Sequence, residues 1–282
     1  MERALDGFQI LRKLADSNTA EIFHVVRRAA RGRGGEYAAK VLRDEYADDP
    51  IEVAYLENEF EICSELFHRN LVHAFEINLD AARPLLILDL IDGPSLRQCI
   101  DKGGVPLGQG LGWLAQAADG LAHFHELGFV HRDVKPQNMV VGPDQVKVID
   151  FALAVEEDGS FGRHLLRRLK ERRRPGTWSY MAPEQIQNNR VTAVTDVYSL
   201  GVTLYEVVTG RLPYVGETPQ VLLEHHLYSA VPSLRTLRPD APPGLDDLVR
   251  GMMAKDPLDR PASMQYVSAK LRAFAAQDAM AW

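Results

Sequence analysis

At 282 residues the chain is long enough for one large domain or a pair of lobes with a sizeable core, which excludes a miniprotein or a fibre. Apolar residues make up 46% and charged residues 25%, as in ordinary globular proteins, and no run approaches the roughly 18 apolar residues of a membrane span. With 32 basic against 39 acidic side chains the net charge is −7, so nucleic acid is not the expected partner.

The start, MERALDGFQI, alternates charge and carries no apolar stretch before a small-residue cleavage site, so a cytoplasmic location is expected. From residue 8 to about 90 short apolar runs alternate with turns: FQILRKL, EIFHVV, EYAAKVL, LVHAFEI and PLLILDL read as strands of one sheet. RRAARGRGG, between the second and third runs, suits a hairpin connection, and residues 51–67 carry apolar side chains at helical spacing. Beyond DGPSL at 92–96 the pattern changes, and 111–127, 195–209, 219–229, 244–253 and 263–276 read as helices. A strand-rich lobe followed by a helix-rich lobe is an α+β arrangement, and a ligand crevice between two such lobes is common.

Some features carry no chemistry on this reading. Cys63 and Cys99 form neither a disulfide framework nor a zinc spacing, and both are expected as buried thiols. His123 and His125, two apart on a helix, face different ways and do not share a metal. Gly108, Gly110 and Gly112 imitate a dinucleotide fingerprint, but no strand precedes them.

The informative block is His131-Arg132-Asp133-Val134-Lys135-Pro136-Gln137-Asn138, followed after a strand-turn-strand by Asp150-Phe151-Ala152. Asp133, Asn138 and Asp150 are oxygen-bearing side chains brought together by a loop and a hairpin, with Lys135 among them. That grouping suits magnesium and phosphate, because magnesium takes one or two protein oxygens and fills its shell from phosphate and water. The remaining aspartate is then available as a base.

HRDVKPQN resembles the catalytic loop of eukaryotic-type (Hanks-type) Ser/Thr protein kinases, and nearly the whole chain falls into register with that family. The resemblance implies a bilobal kinase fold: an antiparallel sheet lobe with one helix at 1–90, a mainly helical lobe at 91–282, a hinge near 88–93 and an activation segment at 150–184. It implies ATP and Mg2+, with Asn138 and Asp150 on the metals. It places Lys40 on the third strand, against the α and β phosphates and tethered by Glu59, with further nucleotide contacts at Leu14, Ile22, Ala38, Asp89 and Ile91. Asp133 would accept the substrate hydroxyl proton, Lys135 would steady the transferred group, and Thr177 would brace both. The lysine two residues after Asp133 resembles serine/threonine-specific members. Glu184 in the Ala-Pro-Glu segment should pair with Arg260, and Asp196 should anchor the central helix. GTWSYMAPEQ and the compact catalytic region resemble bacterial members.

Two departures stand out. The glycine-rich loop should lie at 14–22, yet this stretch contains no glycine, and Ala15, Ser17 and Ala20 stand there instead. If the loop needs positive φ, each replacement costs ~1–2 kcal/mol, so weak nucleotide binding is expected. Asp16 and Glu21 add repulsion toward a triphosphate on this reading. Ala152 replaces the glycine after Asp150-Phe151 and should restrict flipping of that segment. Between Ala152 and Gly176 the one hydroxyl is Ser160, so activation by loop phosphorylation is not expected. Arg163 to Arg174 holds seven Arg or Lys against one Glu, which suggests an acidic partner or substrate or else a solvated loop. The sequence therefore predicts an ATP-dependent protein kinase acting on a protein substrate. The alternatives are a pseudokinase that binds ATP or protein without transfer, and a small-molecule phosphotransferase of similar fold.

Overall fold

The structure is a computed structural model, and it describes residues 4–5, 7–28, 35–157 and 177–280. The chain divides into two compact units. Met1–Phe67, Val72–Asp92 and Phe151–Leu153 form the first; His68–Leu71, Gly93–Asp150 and Ala154–Trp282 form the second.

The first unit is built on an antiparallel six-stranded sheet of order β1-β2-β3-β4-β6-β5. Its strands are β1 (Ala4–Leu5), β2 (Phe8–Asp16), β3 (Ala20–Arg27), β4 (Glu36–Leu42), β5 (Ala74–Asn78) and β6 (Leu85–Asp89). The two-residue β1 was not predicted, so Lys40 lies on the fourth strand. The signal was present: Asp6-Gly7 is a hairpin dipeptide, and Gly7 takes φ +76° between the paired Leu5 and Phe8. Side chains alternate faces along a strand, so Phe8, Phe23, Val25, Ala39, Val41, Leu85 and Ile87 gather into one buried cluster. Helix α1 (Pro50–Cys63) starts where Asp49 accepts the N–H of Ile51 at 3.0 Å and Pro50 presets the first turn.

The second unit is mainly helical. It contains α2 (Leu96–Asp101), α3 (Leu107–Glu126), α4 (Pro183–Ile186), α5 (Ala193–Thr209), α6 (Pro219–Tyr228), α7 (Leu245–Met252) and α8 (Met264–Met280). Helix α2 is absent from the sequence reading although Ser95 and Gln98 form a capping box, and α3 begins four residues earlier than predicted, directly after Pro106. The central helix α5 is buried along nearly its whole length and ends at Gly210 with φ +71°. Two short antiparallel pairings complete the unit: β7 (Phe129–Val130) with β10 (Val155–Glu156), and the hairpin of β8 (Met139–Val141) with β9 (Val146–Val148). Gly93 is dictated by close approach, since a Cβ there would fall 1.9 Å from the carbonyl oxygen of Val141.

The units do not correspond to a single cut in the sequence, and hydrogen bonds between distant segments explain why. Asn70 donates to Val146 O at 2.7 Å, Val148 N–H to Asn70 O at 2.8 Å, and Lys147 to Leu71 O at 2.9 Å, which ties 68–71 to the β8–β9 hairpin. Asn58 of α1 donates to the carbonyl of Ala152 at 3.1 Å, which ties 151–153 to the sheet unit.

Candidate active site

In the first unit, β4 presents Ala39 and Val41 to the core, so period-two alternation turns Ala38 and Lys40 to the other face. Ile22 is the cross-strand partner of Lys40 and shares that face. Lys40 Nζ donates to Glu59 Oε2 of α1 at 2.5 Å, and Glu59 is 1% exposed, so a long cation is held at one position by a buried carboxylate. Leu14 falls at an irregularity between the Lys13 and Ala15 pairings. Asp89 ends β6; its N–H is committed to His73 O at 2.9 Å and its carboxylate accepts from His73 N–H at 3.2 Å. Ile91 follows two residues beyond the strand and is partly buried.

The segment without glycines is a tight hairpin between β2 and β3. Ser17 N–H donates to Ala20 O at 2.8 Å, and Ala20 N–H returns to Ser17 Oγ at 3.0 Å. Among the described non-glycine residues only Arg132, Asp150 and Asn188 have positive φ, so the expected strain at 14–22 is absent: the turn uses backbone angles open to any residue. The expected repulsion from Asp16 and Glu21 is also corrected. Asp16 is paired with Arg43 and Lys13, and Glu21 accepts from Lys13 at 2.7 Å and Arg83 at 2.6 Å. Those bonds from Lys13 and Arg83 hold the Glu21 carboxyl down to about 2.

In the second unit the loop from His131 to Asn138 is held from below by Asp196 near the start of α5. This fully buried carboxylate accepts the N–H of His131 and of Arg132, both at 2.8 Å, and His125 lies 2.8 Å from it. Burial alone would raise its pKa, but His125 and the backbone donors prevail and keep it low. Arg132 takes φ 68°, a left-handed conformation costing ~1–2 kcal/mol, and the Asp196 bonds together with Gln185 Nε2 on Arg132 O at 2.9 Å fix it there.

Asp133 is 7% exposed. Its Oδ2 accepts from Lys135 Nζ at 2.6 Å and from Asn138 Nδ2 at 3.0 Å, and its backbone carbonyl accepts from the same amide at 2.9 Å. Burial pushes the Asp133 carboxyl up; Lys135 opposes that shift and the charge of Asp150 adds to it. Because both bonds from Asn138 use its NH2 group, its amide oxygen is the atom left for a cation. Ile149 N–H donates to Asn138 O at 2.9 Å, which sets Asp150 beside Asn138 across the base of the β8–β9 hairpin. Asp150 itself takes φ 65°. An amide oxygen and a carboxylate are donors suited to a hard, oxygen-preferring cation.

The structure thus brings together Lys40 with Glu59, and Asp133 with Lys135 and Asn138. Sequence reasoning missed Asn58, whose side chain holds the carbonyl of Ala152; no local pattern announces a polar residue beside Glu59. Glu184 and Arg260 pair as expected, through two bonds of 2.7 and 2.9 Å with both side chains buried. Cys63 is fully buried but Cys99, expected buried, is partly exposed; His123 stacks on His68 at 5.1 Å while His125 meets Asp196, and Gly108, Gly110 and Gly112 lie inside α3. The Thr177 side chain, Ser160 and the basic stretch from Arg163 to Arg174 lie outside the described residues. Among the described residues no helix is long and apolar enough to cross a membrane.

The protein kinase domain model matches residues 8–271, and the chain belongs to that family. It is 33% identical over 249 residues, 86% of its length, to the serine/threonine-protein kinase PknL of Mycobacterium tuberculosis. It is 28% identical over 274 residues, 96% of its length, to the serine/threonine-protein kinase PrkC of Bacillus subtilis. The chain spans 60% of the first relative and 41% of the second. The crystal structure of the Mycobacterium tuberculosis PknI kinase domain superposes with a TM-score of 0.71, at 23% identity and covering 96% of this chain and 97% of that one, which establishes the kinase fold. Family membership implies ATP as phosphate donor, typically with Mg2+, and a protein as acceptor.

Proposed function

We propose that the chain transfers the γ-phosphoryl group of ATP to a serine or threonine hydroxyl of a protein. The observation that carries this reading is the buried Asp133 carboxylate, gripped through one oxygen by Lys135 and Asn138. With Oδ2 so occupied, Oδ1 takes the proton of the substrate hydroxyl. The substrate's hydroxyl oxygen then bonds to the γ-phosphorus as the bond from phosphorus to the βγ-bridging oxygen breaks and ADP leaves. Lys135, held by Asp133, neutralises charge on the transferred group. Lys40, fixed by Glu59, orients the α and β phosphates, and Ile22 and Ala38 on the same sheet face bracket the base, with Leu14 and backbone groups at 89–91 as further contacts.

Asn138 and Asp150 would hold Mg2+, which supplies neutralisation of phosphate charge. The raised Asp133 pKa suits a group that must gain a proton in the transition state. The preference for serine or threonine rests on Lys135 standing two residues after Asp133.

The test is labelling of a protein substrate with γ-labelled ATP and magnesium, followed by identification of the modified amino acid, beside Lys40→Met. Phosphoserine or phosphothreonine formed by the wild type and lost in the variant is expected. Nucleotide binding without transfer in the wild type would sink the assignment in favour of a pseudokinase.

A further inference from the structure

Arg43 immediately follows β4 and reaches the hairpin at three positions. Its backbone N–H donates to Thr19 O at 2.9 Å, its Nε to Ser17 O at 3.1 Å, and its Nη2 to the Asp16 carboxylate. The hairpin is closed on itself by the reciprocal Ser17 and Ala20 bonds, and Lys13 and Arg83 hold the adjoining Glu21. A glycine-rich loop achieves close approach through freedom of φ; this one has ordinary φ throughout and is fixed by side chains instead. The guanidinium suits that task, because its planar fork meets a carbonyl and a carboxylate at once.

We propose that Arg43 is a positioning residue that presets the hairpin at Asp16–Ala20 for the phosphates of the nucleotide. The inference rests on the kinase reading above and deepens it. A hairpin already ordered before binding removes a conformational cost that the nucleotide would otherwise bear, so Arg43 acts on nucleotide affinity and leaves the transfer step alone. It touches no reacting atom.

The experiment uses the 282-residue chain as wild type, Arg43→Ala and Arg43→Lys. Amide exchange at Ser17 and Ala20 is read without nucleotide, and ATP KM and kcat are read separately by phosphate transfer. Arg43→Ala is expected to speed exchange at both amides and raise the ATP KM by about ten-fold each, with kcat within about two-fold of wild type. Arg43→Lys, which keeps the charge and loses the fork, is expected to give the same split at about three-fold, and it carries the test if the alanine variant is unfolded by its melting curve. Unchanged exchange, or faster exchange with unchanged KM, would overturn the proposal while leaving the kinase reading standing. Equal losses in kcat and kcat/KM would overturn it too, since they place Arg43 in the transfer step. A wild type with no nucleotide binding removes the kinase reading and this proposal with it, a result distinguishable because the exchange measurement needs no nucleotide.

Discussion

The catalytic loop and the β2–β3 hairpin hold their backbones in opposite ways. At His131–Asn138 a buried carboxylate, Asp196, takes two backbone N–H groups from beneath and forces a left-handed Arg132. At Asp16–Ala20 the backbone is unstrained, and the ties come from partly exposed charged side chains, Arg43 and Lys13. The first device is costly to disturb because Asp196 and His131 are withdrawn from water; the second is adjustable because solvent competes for each bond. A site that places a proton acceptor needs the first kind of rigidity, whereas one that covers exchanging nucleotide tolerates the second.

The largest effect that would sharpen this contrast is expected at Asp196→Ala, which takes the acceptor from the buried His131 N–H and the part-buried Arg132 N–H. A loss of about 2–5 kcal/mol in chemical denaturation is predicted, together with loss of transfer. A loss below about 1 kcal/mol would mean that the loop does not depend on its anchor.

Next comes the pH dependence. On the proposed mechanism Asp133 must be ionised to accept a proton, and burial raises its pKa, so kcat/KM should climb with pH through a limb lying above the ordinary aspartate value. Lys135 opposes that shift, so Lys135→Met should move the limb to still higher pH and lower kcat by about ten- to a hundred-fold. A limb unmoved in the variant would separate Lys135 from the proton-accepting group.

The smallest effect belongs to the hairpin. Asp16→Asn removes a half-exposed partner of Arg43 and Lys13, and global stability should change by less than about 1 kcal/mol. A change as large as that of Asp196→Ala would erase the distinction between the two regions.

The same contrast explains what was legible in the sequence. HRDVKPQN is contiguous, so its chemistry could be read directly, and Glu184 with Arg260, 76 residues apart, followed from family register. The sheet strands and most helices followed from periodicity. The Arg43 ties could not, because they join residues 24 to 27 positions apart that belong to no motif, and the missing glycines suggested strain where the structure has none. Nor could Asn58, whose bond to Ala152 spans 94 positions and gives 151–153 a place in the sheet unit. Helix α2 was legible through its capping box of Ser95 and Gln98.

The most direct measurement is single-turnover γ-phosphate transfer by Asp133→Asn, with nucleotide affinity determined on the same preparation. The account predicts affinity within a few-fold of wild type and a transfer rate lower by about a hundred- to ten-thousand-fold. Transfer at the wild-type rate would contradict it, because no proton acceptor would then be needed at the one carboxylate that Lys135 and Asn138 hold in place.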